Sequence, residues 1–118
     1  MGDVEYRDAS SGTLAVGVFD DAGNRVIRVG GELDLSTVPA LQEELEAAMS
    51  GPADAVVVDL SDLDFIDSTG IAAIVRAMGS SNGSERLKFV PSRAEGVNRV
   101  LKMTGVSERM QLADGISS

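Results

Sequence analysis

Four aspartates fall within nine residues of the chain, at Asp59, Asp62, Asp64 and Asp67, and Ser68-Thr69-Gly70 follows directly. Carboxylates at that density suggest a divalent cation, and the hydroxyl beside them suggests phosphoryl chemistry. A calcium loop needs Asp-x-Asp-x-Asp-Gly and a distant Glu, and this spacing supplies neither. A solvated acidic loop, with Leu60, Leu63, Phe65 and Ile66 turned inward, accounts for the segment better, so neither a metal nor a cofactor is expected. Ser68 stands where an amphipathic helix begins, and its plain role there is an N-cap. The same place suits an anion, because free amides and the positive end of the helix dipole face it. Gly70 carries no side chain, which leaves room for another protein's active site to approach the Ser68 hydroxyl.

Nothing in the chain can activate that hydroxyl. There is no His and no Cys, so Ser-His-Asp and Cys-His groups cannot be assembled, and a Ser-x-x-Lys motif is missing at Ser68. Ser68 therefore reads as a receiver of chemistry done elsewhere, and the chain is not expected to be an enzyme. Zinc sites of the Cys/His kind and disulfides are excluded on the same count. Ten Lys plus Arg against nineteen Asp plus Glu leave a net charge of −9, the wrong sign for gripping a nucleic-acid backbone. The 118 residues, 43% apolar and 25% charged, fit one globular domain spanning 1–118. With only Tyr6, Phe19, Phe65 and Phe89 aromatic, the core must be aliphatic. No apolar run approaches the ~20 residues of a membrane span. The opening Met-Gly-Asp-Val-Glu lacks the parts of a secretion signal, so a cytoplasmic location is expected.

The elements that must position Ser68 can be read along the chain. Residues 1–12 read as a loose arm or a short entry strand. Thr13 to Phe19 and Arg25 to Val29 read as strands about a turn at Asp20 to Asn24, hence a hairpin. Ser36 or Thr37 caps a helix with Pro39 in its first turn and Val38, Leu41, Leu45, Ala48 and Met49 on one face; Gly51-Pro52 ends it. Ala55 to Leu60 is a β-branched run of the kind buried on both faces of a parallel sheet. After the segment Ser61 to Asp67, a helix from Thr69 to Met78 places Ile71, Ile74, Val75 and Met78 together. A turn at Gly79 to Ser84, a strand at Leu87 to Val90 and a helix from Ala94 to Met103 stopped by Gly105 follow. Met110 to Leu112 reads as a last edge strand before a frayed tail at 113–118. Strands alternating with helices imply an α/β sandwich with right-handed crossovers, built on a mixed, mostly parallel sheet of four to five strands.

Three segments in this order carry a resemblance: Gly31-Glu32-Leu33-Asp34, then Val56-Val57-Val58-Asp59-Leu60, then Phe65-Ile66-Asp67-Ser68-Thr69-Gly70-Ile71. Together with Val90-Pro91-Ser92 and the helix ending at Thr104-Gly105, they resemble the anti-sigma factor antagonist family, the bacterial STAS domains, over about residues 13–112. Asp-Ser-Thr-Gly at a helix start is the most specific of these pieces. The resemblance implies a STAS-type fold and partner switching in a stress or sporulation pathway. An unmodified antagonist binds an anti-sigma factor that is itself a serine kinase, and a sigma factor is freed. The kinase phosphorylates the serine matching Ser68, the complex parts, and a metal-dependent serine phosphatase reverses the step. The residues implied for partner binding are Asp34, Asp67, Ser68, Thr69 and Gly70. The acidic surroundings suggest that phosphate ends the interaction by local electrostatic and steric exclusion.

Other readings use the same residues differently. A stand-alone STAS docking subunit of a transporter or signalling assembly would present the same loop without phosphorylation. A phosphoaspartate receiver would use Asp59, although the order ββα before its strand is wrong. A hydrolase using Asp64 and Asp67 lacks acid–base partners and ranks last.

Overall fold

The computed structural model describes residues 5–8, 14–79 and 86–113. Five strands lie in the sheet in sequence order: β1 (Glu5–Asp8), β2 (Leu14–Asp21), β3 (Asn24–Leu33), β4 (Val56–Ile66) and β5 (Leu87–Val90). The β1–β2 and β2–β3 pairs are antiparallel, and the β3–β4 and β4–β5 pairs are parallel. The sheet is thus mixed, as expected, with its parallel pairing confined to one half. Helix α1 (Val38–Met49) makes the crossover from β3 to β4, and α2 (Ser68–Met78) follows β4. Helices α3 (Glu95–Met103) and α4 (Val106–Arg109) complete the chain order.

Two turns explain the boundaries. Ala22 and Gly23 both adopt positive φ, 52° and 87°, the left-handed pair that matches the twist of a two-residue hairpin. At the far end of α1, the Arg86 guanidinium donates to the carbonyls of Met49, Gly51 and Ala53 at 2.9, 3.1 and 2.9 Å. These carbonyls have no helical partner left, so a cation there stabilises the exit of the helix.

The core is one cluster on one face of the sheet, aliphatic except for Phe89. Leu14 and Val16, Ile27 and Val29, Val56 and Val58, Leu87 and Phe89 come from the strands. Leu41 and Leu45, Ala73 and Ile74, Val97 and Leu101, and Val106 come from helices α1 to α4. The opposite face carries an ion pair between partly buried Arg28 and fully buried Asp59: Arg28 Nε donates to Asp59 Oδ2 at 3.1 Å, and the guanidinium lies 5.1 Å from the Phe19 ring centre.

Several expectations need correction. The segment Ser61 to Asp67 is no loop; β4 continues through it to Ile66. Two extra residues are accommodated in β4, because its register with β3 jumps between Arg28 and Gly30 and again between Gly31 and Glu32. Such bulges break strict alternation, so Leu63 and Ile66 are buried while Asp64 and Phe65 both face solvent. Phe65, expected inside, is 49% exposed. Of residues 1–12, the alternative of a short entry strand holds for Glu5–Asp8, which form the edge strand β1, and the rest lie outside the described residues. The expected last strand reduces to one parallel bridge, Phe89 with Leu112. The turn beyond Gly79 and the tail beyond Ala113 lie outside the described residues.

Candidate functional site

The parallel strands β3 and β4 end side by side, with Leu33 opposite Ile66. The Asp67 amide donates to the Leu33 carbonyl at 3.2 Å, one bond past the ladder. Asp34 and Asp67 therefore emerge together at the carboxyl edge of the parallel half, where open α/β sheets place their functional loops. Ser68 comes next in the chain.

Helix α2 begins differently from the expectation. Asp67, not Ser68, is the N-cap: its backbone is extended (φ −109°, ψ −175°), and its Oδ1 accepts from the Gly70 amide at 3.0 Å. Ser68 is the first helical residue and is exposed; Thr69 is half-buried. Among the described residues no hydrogen-bond partner holds the Ser68 hydroxyl. With the Asp67 and Gly70 amides spent, those of Ser68 and Thr69 are the first-turn donors still open to solvent or to an anion.

Gly70 has a role within its own chain. It is buried, and a Cβ there would lie 2.8 Å from Ile66 Cγ1 and 2.9 Å from the Leu33 carbonyl oxygen. Only glycine lets α2 start this close to the strand ends. Beside the access it was expected to give to Ser68, it has a packing role that presses the helix onto the sheet.

On the β3 side, Asp34 Oδ1 accepts from the Ser36 hydroxyl at 2.8 Å and from the amides of Ser36 and Thr37 at 3.0 and 3.2 Å. Thr37, fully buried, accepts from the Asp34 amide at 2.9 Å and donates to the Glu32 carbonyl at 2.8 Å. Thr37 occupies the N-cap position of α1, but its hydroxyl does not bond the helix; Pro39 sits in the first turn. The hydrogen bond from the Ser36 hydroxyl, most of all, holds the Asp34 carboxyl below the ordinary range; partial desolvation opposes it, and the Ser36 and Thr37 amides and the Thr37 hydroxyl add to it.

The remaining aspartates disperse. Asp59 is fully buried, paired with Arg28, and its Oδ1 accepts from the Ser61 amide at 2.9 Å across the first bulge. A buried, doubly engaged carboxylate is no phosphoryl acceptor, which removes the receiver reading. Asp62 is exposed and 3.7 Å from Arg93, and Asp64 is exposed. Among the described residues, no three carboxylates gather as a metal site. The sequence reading missed Leu35, 74% exposed between Asp34 and Ser36, as well as the outward turn of Phe65. An apolar residue inside a polar turn was the available signal for Leu35.

A profile of the family described as "Mlab, STAS domain" matches residues 18–113. The anti-sigma-B factor antagonist of Staphylococcus epidermidis is 30% identical over 89 residues, covering 75% of this chain and 82% of the relative. The crystal structure of an anti-sigma factor antagonist from Mycobacterium paratuberculosis superposes with a TM-score of 0.78 at 25% identity, over 92% of each chain. SpoIIAA in its unphosphorylated form shares the fold, with a TM-score of 0.61 at 21% identity over 96% of this chain and 90% of that one. No helix among the described residues is long and apolar enough to cross a membrane. The chain belongs to the anti-sigma factor antagonist family of STAS domains.

Proposed function

We propose that this protein binds an anti-sigma factor serine kinase through the Asp34–Ser68 edge of its sheet while Ser68 is unmodified, freeing a sigma factor. Phosphorylation of Ser68 ends the complex, and a metal-dependent serine phosphatase restores it. The observation that supports this reading is the division of labour at α2: Asp67 caps the helix and leaves the Ser68 hydroxyl exposed. In the transfer, Ser68 Oγ bonds to the γ-phosphorus of ATP, the bond to ADP breaks, and a base on the kinase takes the hydroxyl proton. The chain is a substrate and a ligand here, not a catalyst, and the cytoplasm is where such partners meet.

The helix start tolerates the product. A phosphate adds about −1.5 to −2 charge, and the open Ser68 and Thr69 amides with the helix dipole offset part of it. At an interface, one unpaired desolvated charge costs about 2–5 kcal/mol, a loss of affinity of about 30-fold to several thousand-fold. Intact-mass analysis after incubation with the candidate kinase and ATP tests the assignment. Wild type should gain one phosphoryl group and Ser68→Ala none; an addition that persists in Ser68→Ala rules out the site. A docking subunit that works without phosphorylation would show no mass change in wild type.

A further inference from the structure

Large apolar side chains that stand out of the described surface are Leu35, Phe65, Met103 and Leu112, and the first two belong to the Ser68 edge. Phe65 lies opposite Glu32 in the ladder, three residues before Ser68. Leu35 lies two residues past Leu33, whose carbonyl holds the Asp67 amide. Its loop is rigid, because Asp34, Ser36, Thr37 and Glu32 are knotted by the hydrogen bonds described above. An apolar side chain held outward by a fixed backbone loses little entropy when a partner covers it.

The same edge carries Glu32, Asp34, Asp64 and Asp67. A partner able to approach those carboxylates cannot itself be acidic there; its rim is neutral or basic, and the part facing Leu35 and Phe65 is apolar. Such a rim would attract an added phosphate, so repulsion of like charges does not explain release. Loss of water does: a dianion enclosed by packed apolar side chains gives up its hydration, and attraction to a rim outside that contact does not replace it.

We propose that Leu35 and Phe65 are the apolar anchors for the anti-sigma factor kinase, and that they make Ser68 a switch by drying the contact around it. This inference rests on the kinase being the partner. The test titrates ADP-loaded kinase with unmodified and repurified phosphorylated protein, for wild type, Leu35→Ser and Phe65→Ser, at low and high salt. The wild-type affinity ratio between the two forms should change less than about threefold with salt, since repulsion is screened and desolvation is not. Each serine variant should weaken the unmodified complex about tenfold and barely alter the phosphorylated one, so the ratio falls about tenfold. A ratio that collapses with salt overturns the inference, and so do variants that weaken both forms equally or neither. Leu35→Ser decides the matter alone if thermal melting shows Phe65→Ser to be unfolded. Failure of unmodified wild type to bind the kinase at all would instead refute the partner assignment.

Discussion

Helices α1 and α2 begin at neighbouring strand ends with almost the same vocabulary, Asp34-Leu35-Ser36-Thr37 and Asp67-Ser68-Thr69-Gly70. At α1 three residues intervene between the aspartate and the helix, and both hydroxyls are consumed: Ser36 bonds Asp34, and Thr37 bonds Glu32 from a fully buried position. At α2 the helix starts at once, Asp67 is satisfied by the Gly70 amide, and the Ser68 hydroxyl stays outside. Residue type alone does not leave a serine hydroxyl exposed at a helix start. What distinguishes Ser68 is that its neighbour caps the helix and that Gly70 lets the helix sit against Leu33.

The strongest way to break this contrast is Gly70→Ala. The new methyl would meet a backbone carbonyl and Ile66, which cannot both yield without moving α2 off the strand ends. A loss of about 3 kcal/mol is expected, read as a lower midpoint in urea unfolding. An unchanged midpoint would show that α2 is not held by this contact. Next in size is a comparison of two threonines. Thr37→Val strands a buried amide and the Glu32 carbonyl, which should cost about 1–3 kcal/mol. Thr69→Val removes a hydroxyl with no partner among the described residues, and should cost less than about 0.5 kcal/mol. Equal effects would dissolve the distinction between the two helix starts.

The amino-acid pattern pointed to the Asp34–Ser68 edge as the candidate site but not to how that edge is held. Val56 to Val58 reads as a doubly buried strand because no polar residue interrupts it, and it is one. Past Leu60 the reading failed for a specific reason: two bulges shift the inward set, so Ser61 to Ile66 resembles an acidic loop while it is paired to β3. The cap failed for another. Asp67 and Ser68 are both good N-cap residues, and only the extended backbone of Asp67 with its bond to Gly70 decides between them. The burial of Thr37 depends on the Glu32 carbonyl across the turn, a contact with no periodic signature. Four-residue elements such as β1 and α4 are too short to show any.

The smallest effect concerns pH, and it reports on the α1 knot directly. The Asp34 carboxyl titrates below its ordinary 3.8, first because the Ser36 hydroxyl bonds it. A folded pKa below the unfolded one gives stability that is complete above the unfolded value. That stability is lost as pH falls through the folded value, so the knot should weaken only in acid below 3.8. Ser36→Ala deletes the main cause, and the Asp34 carboxyl should then titrate closer to 3.8 in an NMR-monitored acid titration. Because Ser68 lies at the other helix start, Ser68→Ala should leave the Asp34 titration where it was. If Ser68→Ala moved it as far as Ser36→Ala does, the two helix starts would be electrostatically one unit, and the division between a spent hydroxyl and a free one would have to be given up.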